Sequence, residues 1–193
     1  MESNDIKVEN VGQQNCEPTA GFDHRTIRIA LLDWFDVLTE PKPLCADVAL
    51  NAAANFAEMA EITADHTFKV GYGFMTIKGV QETTDLESPM IGEKRRRLFN
   101  NKINVTIPGS EAETLGFARW LKNKDFICLV TETESGRTRQ IGSARMAAEC
   151  AEITGKIEAV MEGDNSILFN LSDKQKYMAP IYKGVITDMP AQA

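Results

Sequence analysis

The chain has 193 residues, of which 43% are hydrophobic and 25% are charged, and its formal net charge is −7 at pH 7. This length and composition predict a globular protein with a core of its own. A membrane-spanning helix is not expected, because no run of about 18 apolar residues occurs. The polar start Met1–Asp5 argues against a signal peptide. The acidic charge argues against general nucleic-acid binding, which needs clustered cations.

The cysteines are widely spaced and form no C-x-x-C pair; they are Cys16, Cys45, Cys128 and Cys150. Disulfide frameworks are denser than this, and zinc sites pair their ligands closely in sequence. We therefore expect free thiols in a protein made in a reducing cytoplasm. Cys128, within an apolar run, is expected to be a small buried hydrophobe.

The N-terminal third begins with residues 1–24, which are polar and aperiodic and predict a flexible arm. From Arg25 to Leu38, apolar residues recur with period two and predict one long strand, with a bulge or edge at Asp33. Residues 44–64 are ambiguous, since Ala52–Ala54 favour a helix whereas the flanking Val48, Leu50 and Ile62 permit short strands. We expect irregular structure with one helical turn there.

The middle of the chain contains the most regular patterns. Phe74–Val80 has strand periodicity, and the turn-rich residues 81–97 predict a long loop or an extended hairpin tip that projects from the domain. Lys102–Ile107 alternates polar and apolar residues, which predicts a strand with one buried face. Phe126–Val130 is apolar on both faces, which predicts a central strand covered on both sides.

A helix is predicted between these two strands, from Ser110 to Lys122. Pro108-Gly109 ends the preceding strand, and Ser110 with Glu113 matches a capping box. The apolar residues of this helix spread over most of its circumference, which predicts burial on more than one side.

The C-terminal part predicts a strand meander. A polar strand is expected at Thr138–Gly142, then a hairpin of Ala151–Met161 and Ser166–Leu171, then a last strand at Tyr177–Thr187, with a loose tail at 188–193. The fold class expected is mainly β, a β-sandwich or partly closed barrel with one short flanking α-helix and extended arms and loops. One β-rich domain is expected over residues 25–187.

No residue pattern indicates catalysis, a metal site or a cofactor. His24 and His66 lack partners at ligand spacing, and no nucleophile elbow or phosphate loop occurs. We therefore expect no enzyme activity and no cofactor.

Two features remain as candidate contact sites. The basic run Lys94, Arg95, Arg96 and Arg97 is compatible with an anion contact, with a solvated loop base, or with a contact to acidic surface on a neighbouring copy. Phe117 and Trp120 are either core residues or anchors of a contact between subunits, where aromatic side chains are enriched. We take these six residues as a hypothetical subunit interface.

The order of elements resembles that of the tail tube proteins of long-tailed bacteriophages and of related neck and injection-machine ring proteins. The stretches behind the resemblance are Ile103–Ile107, Ser110–Lys122, Phe126–Thr131, Ile153–Glu158 and Ala179–Gly184. It implies a β-sandwich or partly closed barrel with one helix on its flank. It also implies copies joined sheet to sheet in a ring, stacking of rings through arms and loops, and no catalytic residues.

The resulting expectation is a structural virion protein, assembled in the host bacterial cytoplasm as a subunit of a tail tube or neck ring. The ring would be homo-oligomeric, six-fold or higher, and would stack on other tail or neck proteins. DNA would pass through its lumen without specific binding, which an acidic subunit favours. Two alternatives stay open: a capsid decoration or attachment module, and a small β-barrel enzyme or ligand-binding protein with an apolar pocket.

Overall fold

A computed structural model describes residues 26–44, 52–80, 83–133, 135–159 and 163–190. These residues form a mainly β structure with one α-helix, α1 (Ala112–Leu121), and a short 3-10 helix (Leu32–Trp34). The strands are β1 (Thr26–Leu31), β2 (Phe35–Val37), β3 (Glu61–Ile62), β4 (Thr67–Phe68), β5 (Met75–Lys78), β6 (Asp85–Glu87), β7 (Met90–Ile91), β8 (Leu98–Pro108), β9 (Phe126–Thr131), β10 (Thr138–Ile141), β11 (Glu149–Ile157), β12 (Asn165–Gln175) and β13 (Ile181–Tyr182). The predicted arm at residues 1–24, His24, Cys16 and Cys45 lie outside the described residues.

The strands form two main sheets, neither closed into a barrel, so the architecture agrees with the sandwich alternative. The first sheet has the order β3-β13-β10-β9-β1-β5 and the second the order β11-β12-β8-β6, with β7 also paired to β8. All pairs are antiparallel except β13 with β3. Strands β2 and β4 form a separate two-stranded sheet that is not hydrogen-bonded to either main sheet.

The main core lies between the two sheets. Ile29 of β1 and Val130 of β9 belong to the same buried cluster as Val105 of β8 and Phe169 of β12. A second cluster covers the opposite face of the first sheet. Strand β9 contributes alternate residues to both clusters and is almost wholly buried, which confirms the prediction of a central strand covered on both sides.

The helix is confirmed within about two residues at each end, but the predicted capping box is wrong. Glu111 occupies the N-cap position and makes no side-chain capping bond. The reason is that strand pairing continues further than expected: Pro108 is the last residue of β8, and the Gly109 N–H still donates to Asn165 O at 2.8 Å. The helix therefore begins after Ser110, which lies one position too early to cap it.

The prediction that the helix is buried on more than one side is also wrong for the described chain. Within α1 only Leu121 is fully buried, while Phe117 and Ala118 pack partly against the main core. Leu115 is 53% exposed and Trp120 is 37% exposed. The apolar surface of α1 thus exceeds what the fold covers.

The predicted long strand from Arg25 to Leu38 is broken. The 3-10 helix at Leu32–Trp34, anchored by a bond from the Leu32 N–H to Asp125 O at 2.9 Å, takes the chain out of the first sheet. The following β2 pairs with β4. Asp33, which the sequence marked as an interruption, lies in this break. Residue parity alone did not distinguish one strand from two strands in different sheets.

The segment 81–97 does not project as one long loop. Its described part forms β6 and β7, both paired with β8, and only the tip at residues 92–97 leaves the sheet. Residues 52–60 form bends and turns that lead into β3, in agreement with the irregular structure predicted there, while residues 45–51 lie outside the description.

The predicted C-terminal strands are present, but they do not form a meander, because β10 and β13 belong to the first sheet and β11 and β12 to the second. Strand β10 and the β11–β12 hairpin are confirmed. The last strand, predicted over Tyr177–Thr187, is only Ile181–Tyr182. The predicted loose tail is also wrong for Asp188 and Met189, because the Asp188 carboxylate accepts a bond from Arg28 Nε and the Met189 N–H donates to Phe74 O, both at 2.9 Å. Residues 191–193 lie outside the described ranges.

Candidate assembly surfaces

Four aromatic side chains from separate parts of the chain meet beside α1. Trp34 stacks on Tyr72 with a ring-centroid distance of 5.4 Å, and Trp120 lies 6.3 Å from Trp34 and 6.0 Å from Phe117. Centroid distances in this range are typical of favourable aromatic pairs. We call the surface formed by Trp34, Tyr72, Phe117 and Trp120 the aromatic groove.

Local structure holds each of these rings in place. Trp34 ends the 3-10 helix, and its carbonyl accepts the Lys69 N–H at 2.9 Å. Tyr72 follows Gly71, whose φ of +86° is a left-handed conformation that glycine adopts without a steric penalty. Phe117 and Trp120 lie three residues apart on α1, so they share one side of the helix.

The groove has a volume of about 380 Å³, and its remaining lining residues are Gly71, Met75, Gly116 and Met189. No charged side chain lines it, so it offers contact to apolar surface and no acid–base chemistry. At its rim, Tyr72 is 43% exposed and Trp120 is 37% exposed. An exposed apolar groove of this kind is a candidate interaction site.

The two aromatic residues that the sequence singled out have different surroundings. Phe117 turns inward, with its ring 5.6 Å from that of Phe169, and packs against the main core. Trp120 lies at the exposed rim. Trp34 and Tyr72 were not among the residues that the sequence singled out. The signals available were the polar interruption next to Trp34 and the two glycines that flank Tyr72.

The basic run forms the tip between β7 and β8. All four residues Lys94, Arg95, Arg96 and Arg97 are exposed, and none makes an ion pair with another described residue. The tip is tightly turned: Arg95 has φ +74°, and the Arg96 N–H donates to Glu93 O at 2.9 Å.

The structure does not bring the basic tip and the aromatic groove together. The tip directly precedes β8, whereas Phe117 of the groove packs against Phe169, which pairs with Val105 in the second half of β8. At about 3.3 Å per residue, the stretch of β8 from the tip to Val105 separates the two surfaces by roughly 26 Å. The six residues of the hypothetical interface therefore belong to two separate surfaces.

His66 is buried and its ring nitrogens are both hydrogen-bonded. The Thr39 N–H donates to Nδ1 at 3.2 Å, and Nε2 lies 2.8 Å from Gln140 Oε1. Thr39 Oγ1 donates elsewhere, to Ala64 O, so the network assigns the neutral tautomer that carries its proton on Nε2. Burial lowers the pKa of His66, although the Gln140 bond and the Asp65 charge oppose this shift.

The described thiols are free and do not ionise near neutral pH. Burial, with a smaller contribution from the charge of Asp173, raises the pKa of Cys128 far above its usual range. Burial raises the pKa of Cys150 to about 11. In the part of the chain that the structure describes, no cluster of three or more His, Cys, Asp or Glu side chains could hold a metal ion.

None of the helical residues described forms a segment long and apolar enough to cross a membrane. Comparison of the chain with known protein families, with curated proteins and with solved structures finds no match.

Proposed function

We propose that this protein is a structural virion protein, a self-assembling subunit of a phage tail tube or neck ring that forms a channel for DNA. The observation that carries the proposal is the aromatic groove, with Tyr72 and Trp120 exposed at its rim. A helix flanking a β-sandwich is also what the sequence resemblance implies.

The groove suits a contact between copies in a ring. Contacts around a cyclic ring are heterologous, so a concave surface on one copy meets a different surface on the next. Trp and Tyr side chains dominate the binding energy of many protein interfaces. A neighbouring copy would cover the exposed rings of Trp120 and Tyr72.

The net charge of −7 supports the channel part of the proposal. Acidic residues buried at subunit contacts would be costly unless paired, whereas acids facing water are screened. The lumen of the ring is therefore expected to be net negative, which keeps DNA phosphates from binding to it. A ring structure with a lumen lined mainly by Lys and Arg would contradict this.

The test compares Trp120→Gln with Val185→Gln, a control at a side chain that is 68% exposed and lies outside the groove. Wild type and control should form rings, visible by negative-stain microscopy and native mass spectrometry. Trp120→Gln should need about tenfold more protein to assemble, or more, because truncating an interface Trp often costs over about 1.4 kcal/mol. A wild-type protein that stays monomeric, or equal loss in both variants, would reject the proposal.

Two other functions predict different outcomes of the same experiment. A capsid decoration or attachment module would give a trimer or a monomer in place of a ring. A ligand-binding protein is favoured by the groove volume, which falls within the range of about 300–1,000 Å³ usual for small-molecule pockets. In that case an apolar compound would quench the fluorescence of Trp34 and Trp120 without any change in oligomeric state.

A further inference from the structure

Strand β11 leaves a long edge of the second sheet open. It has nine residues and pairs with β12 on one side, and no described strand pairs with its other side. All of its residues except Cys150 and Ile153 are exposed. Unpaired N–H and C=O groups on such an edge are a template for pairing with another chain.

Two hydrogen bonds establish which backbone groups face outward. The Glu158 N–H donates to Asp164 O at 2.9 Å, and the Gly109 N–H donates to Asn165 O at 2.8 Å. The first bond shows that the backbone N–H and C=O groups of Glu158 face β12. The second shows that those of Asn165 face away from β11. Because hydrogen-bonded and non-hydrogen-bonded pairs alternate along antiparallel strands, the outward groups of β11 belong to Ile153, Gly155 and Ile157.

The charged side chains Glu152 and Lys156 lie on the solvent face of this edge and leave its outward backbone groups open. Ile153, Gly155 and Ile157 also share the face of β11 that lies toward the core, so no charge points inward along this stretch. A β-bulge occurs only near the start of the strand, between Cys150 and Glu152. Ile157 is 71% exposed at the other end.

The other open edges are too short to match it. The other outermost strands of the two main sheets are β3 and β7 with two residues each, β6 with three and β5 with four. No other open edge in the described part of the chain is as long as β11. The edge that matches it in length is therefore β11 of a second copy. A two-fold axis would bring the two strands together antiparallel.

We propose that β11 pairs with β11 of a second copy about a two-fold axis at Thr154, which joins the two second sheets into one. In this register Ile153 exchanges backbone hydrogen bonds with Gly155 of the partner subunit. Glu152 then lies opposite Lys156 of the partner subunit in a non-hydrogen-bonded pair, where side chains approach most closely. The symmetry makes this charge pair twice.

Neighbouring registers lack this complementarity. Sliding the partner by two residues one way places Glu152 opposite Glu158 of the partner subunit, and sliding it further brings Lys156 opposite the partner's Lys156. Like charges placed directly opposite each other destabilise a strand pair. The Thr154-centred register also sets Ile153 against the partner's Gly155, and a Cβ built on Gly155 meets no atom of its own chain within 4 Å.

The register is tested with full-length Glu152→Lys and Lys156→Glu variants in sedimentation equilibrium. Each variant alone should dimerise at least about tenfold more weakly than wild type, because like charges then face each other twice. An equimolar mixture should regain dimers at close to wild-type affinity, since in this register a strand with lysine at both positions faces a strand with glutamate at both and forms two opposite-charge pairs. Failure of the mixture to recover would overturn the proposal.

A second comparison tests the backbone contact. Gly155→Pro removes an outward N–H and should abolish the dimer, whereas Gly155→Ala keeps the N–H and should retain it. Circular dichroism of both variants verifies the fold, and the charge variants decide the question if the proline variant does not fold. The proposal does not rest on the ring: dimers lost with Trp120→Gln but not with Gly155→Pro would refute it and leave the proposed function standing.

Discussion

Asn101 and Asp173 form a buried polar link between elements that were each predicted from a local sequence pattern. Asn101 Nδ2 donates to Asp173 Oδ1 at 2.8 Å, and Asn101 Oδ1 accepts the Ala179 N–H at 2.9 Å. Asp173 Oδ2 also accepts the Gly142 N–H. Strands β8 and β12 and the end of β10 are thereby joined, and removal of either side chain would leave buried donors unsatisfied.

The titration of Asp173 is expected to lower the free energy of unfolding as pH rises. Burial raises its pKa from 3.8 to about 6, against the effect of the bonds it accepts from Gly142 and Asn101. Between these values the folded state holds more protons than the unfolded state, so unfolding free energy falls by about 3 kcal/mol as pH increases. Denaturant titrations from pH 4 to 7 should show this fall in wild type.

The matched variant is Asp173→Asn, which cannot titrate. It should be less stable at every pH, because its amide NH₂ faces a donor, either the Gly142 N–H or the Asn101 amide. Its stability should nevertheless fall less with pH than that of wild type. An unchanged slope would show that Asp173 titrates normally in the fold.

His66 predicts the opposite dependence. Its folded pKa is lowered by burial, so the unfolded state binds more protons below the ordinary value of 6.5, and stability is lost as pH falls through that region. Protonation would also break the bond from the Thr39 N–H to Nδ1. Nitrogen-15 NMR should find the Nε2–H tautomer at neutral pH and a folded pKa below 6.5, and a folded pKa above 6.5 would contradict this assignment.

At the scale of elements, two glycines predict opposite effects of the same substitution. Gly116 lies inside α1, where a Cβ would meet no atom within 4 Å, so Gly116→Ala should stabilise the protein by about 0.5–1 kcal/mol. Gly142 follows β10 with φ +95°, and its Cβ would lie 2.8 Å from Ala148 N and 2.9 Å from Phe126 O.

Gly142→Ala should therefore destabilise the protein by more than about 1 kcal/mol, since both its conformation and its surroundings exclude a side chain. Urea unfolding of the two variants beside wild type measures both effects. Equal effects of the two substitutions would contradict the open helical position of Gly116 and the positive φ of Gly142.

At the scale of the whole molecule, the basic tip predicts an effect on assembly that is separate from folding. Replacing Arg95, Arg96 and Arg97 with alanine should change the unfolding free energy by less than about 0.5 kcal/mol, because all three are exposed. The same variant should assemble less readily at low salt if the tip meets acidic surface on another copy. Unchanged assembly, measured beside a Lys176→Ala control, would mean that the tip is only solvated.

Local periodicity was sufficient to predict the elements whose buried residues recur at regular spacing along the chain. The alternation in Lys102–Ile107, the doubly apolar Phe126–Val130 and the intervening helix each carry their signal within a few residues. The same holds for the β11–β12 hairpin, where a turn joins neighbouring strands. Such patterns indicate directly whether one face or both faces of an element are buried.

The remaining features depend on partners distant in sequence, and only the tertiary structure decided them. The chain breaks at Leu32 because Asp125 O accepts its N–H, and α1 begins after Ser110 because Gly109 still bonds to β12. The aromatic groove exists because Trp34, Tyr72 and Trp120, far apart in the chain, meet at one surface. Periodicity reports which face of an element is apolar, but only long-range packing and hydrogen bonding determine whether the protein itself covers that face or leaves it open to a partner.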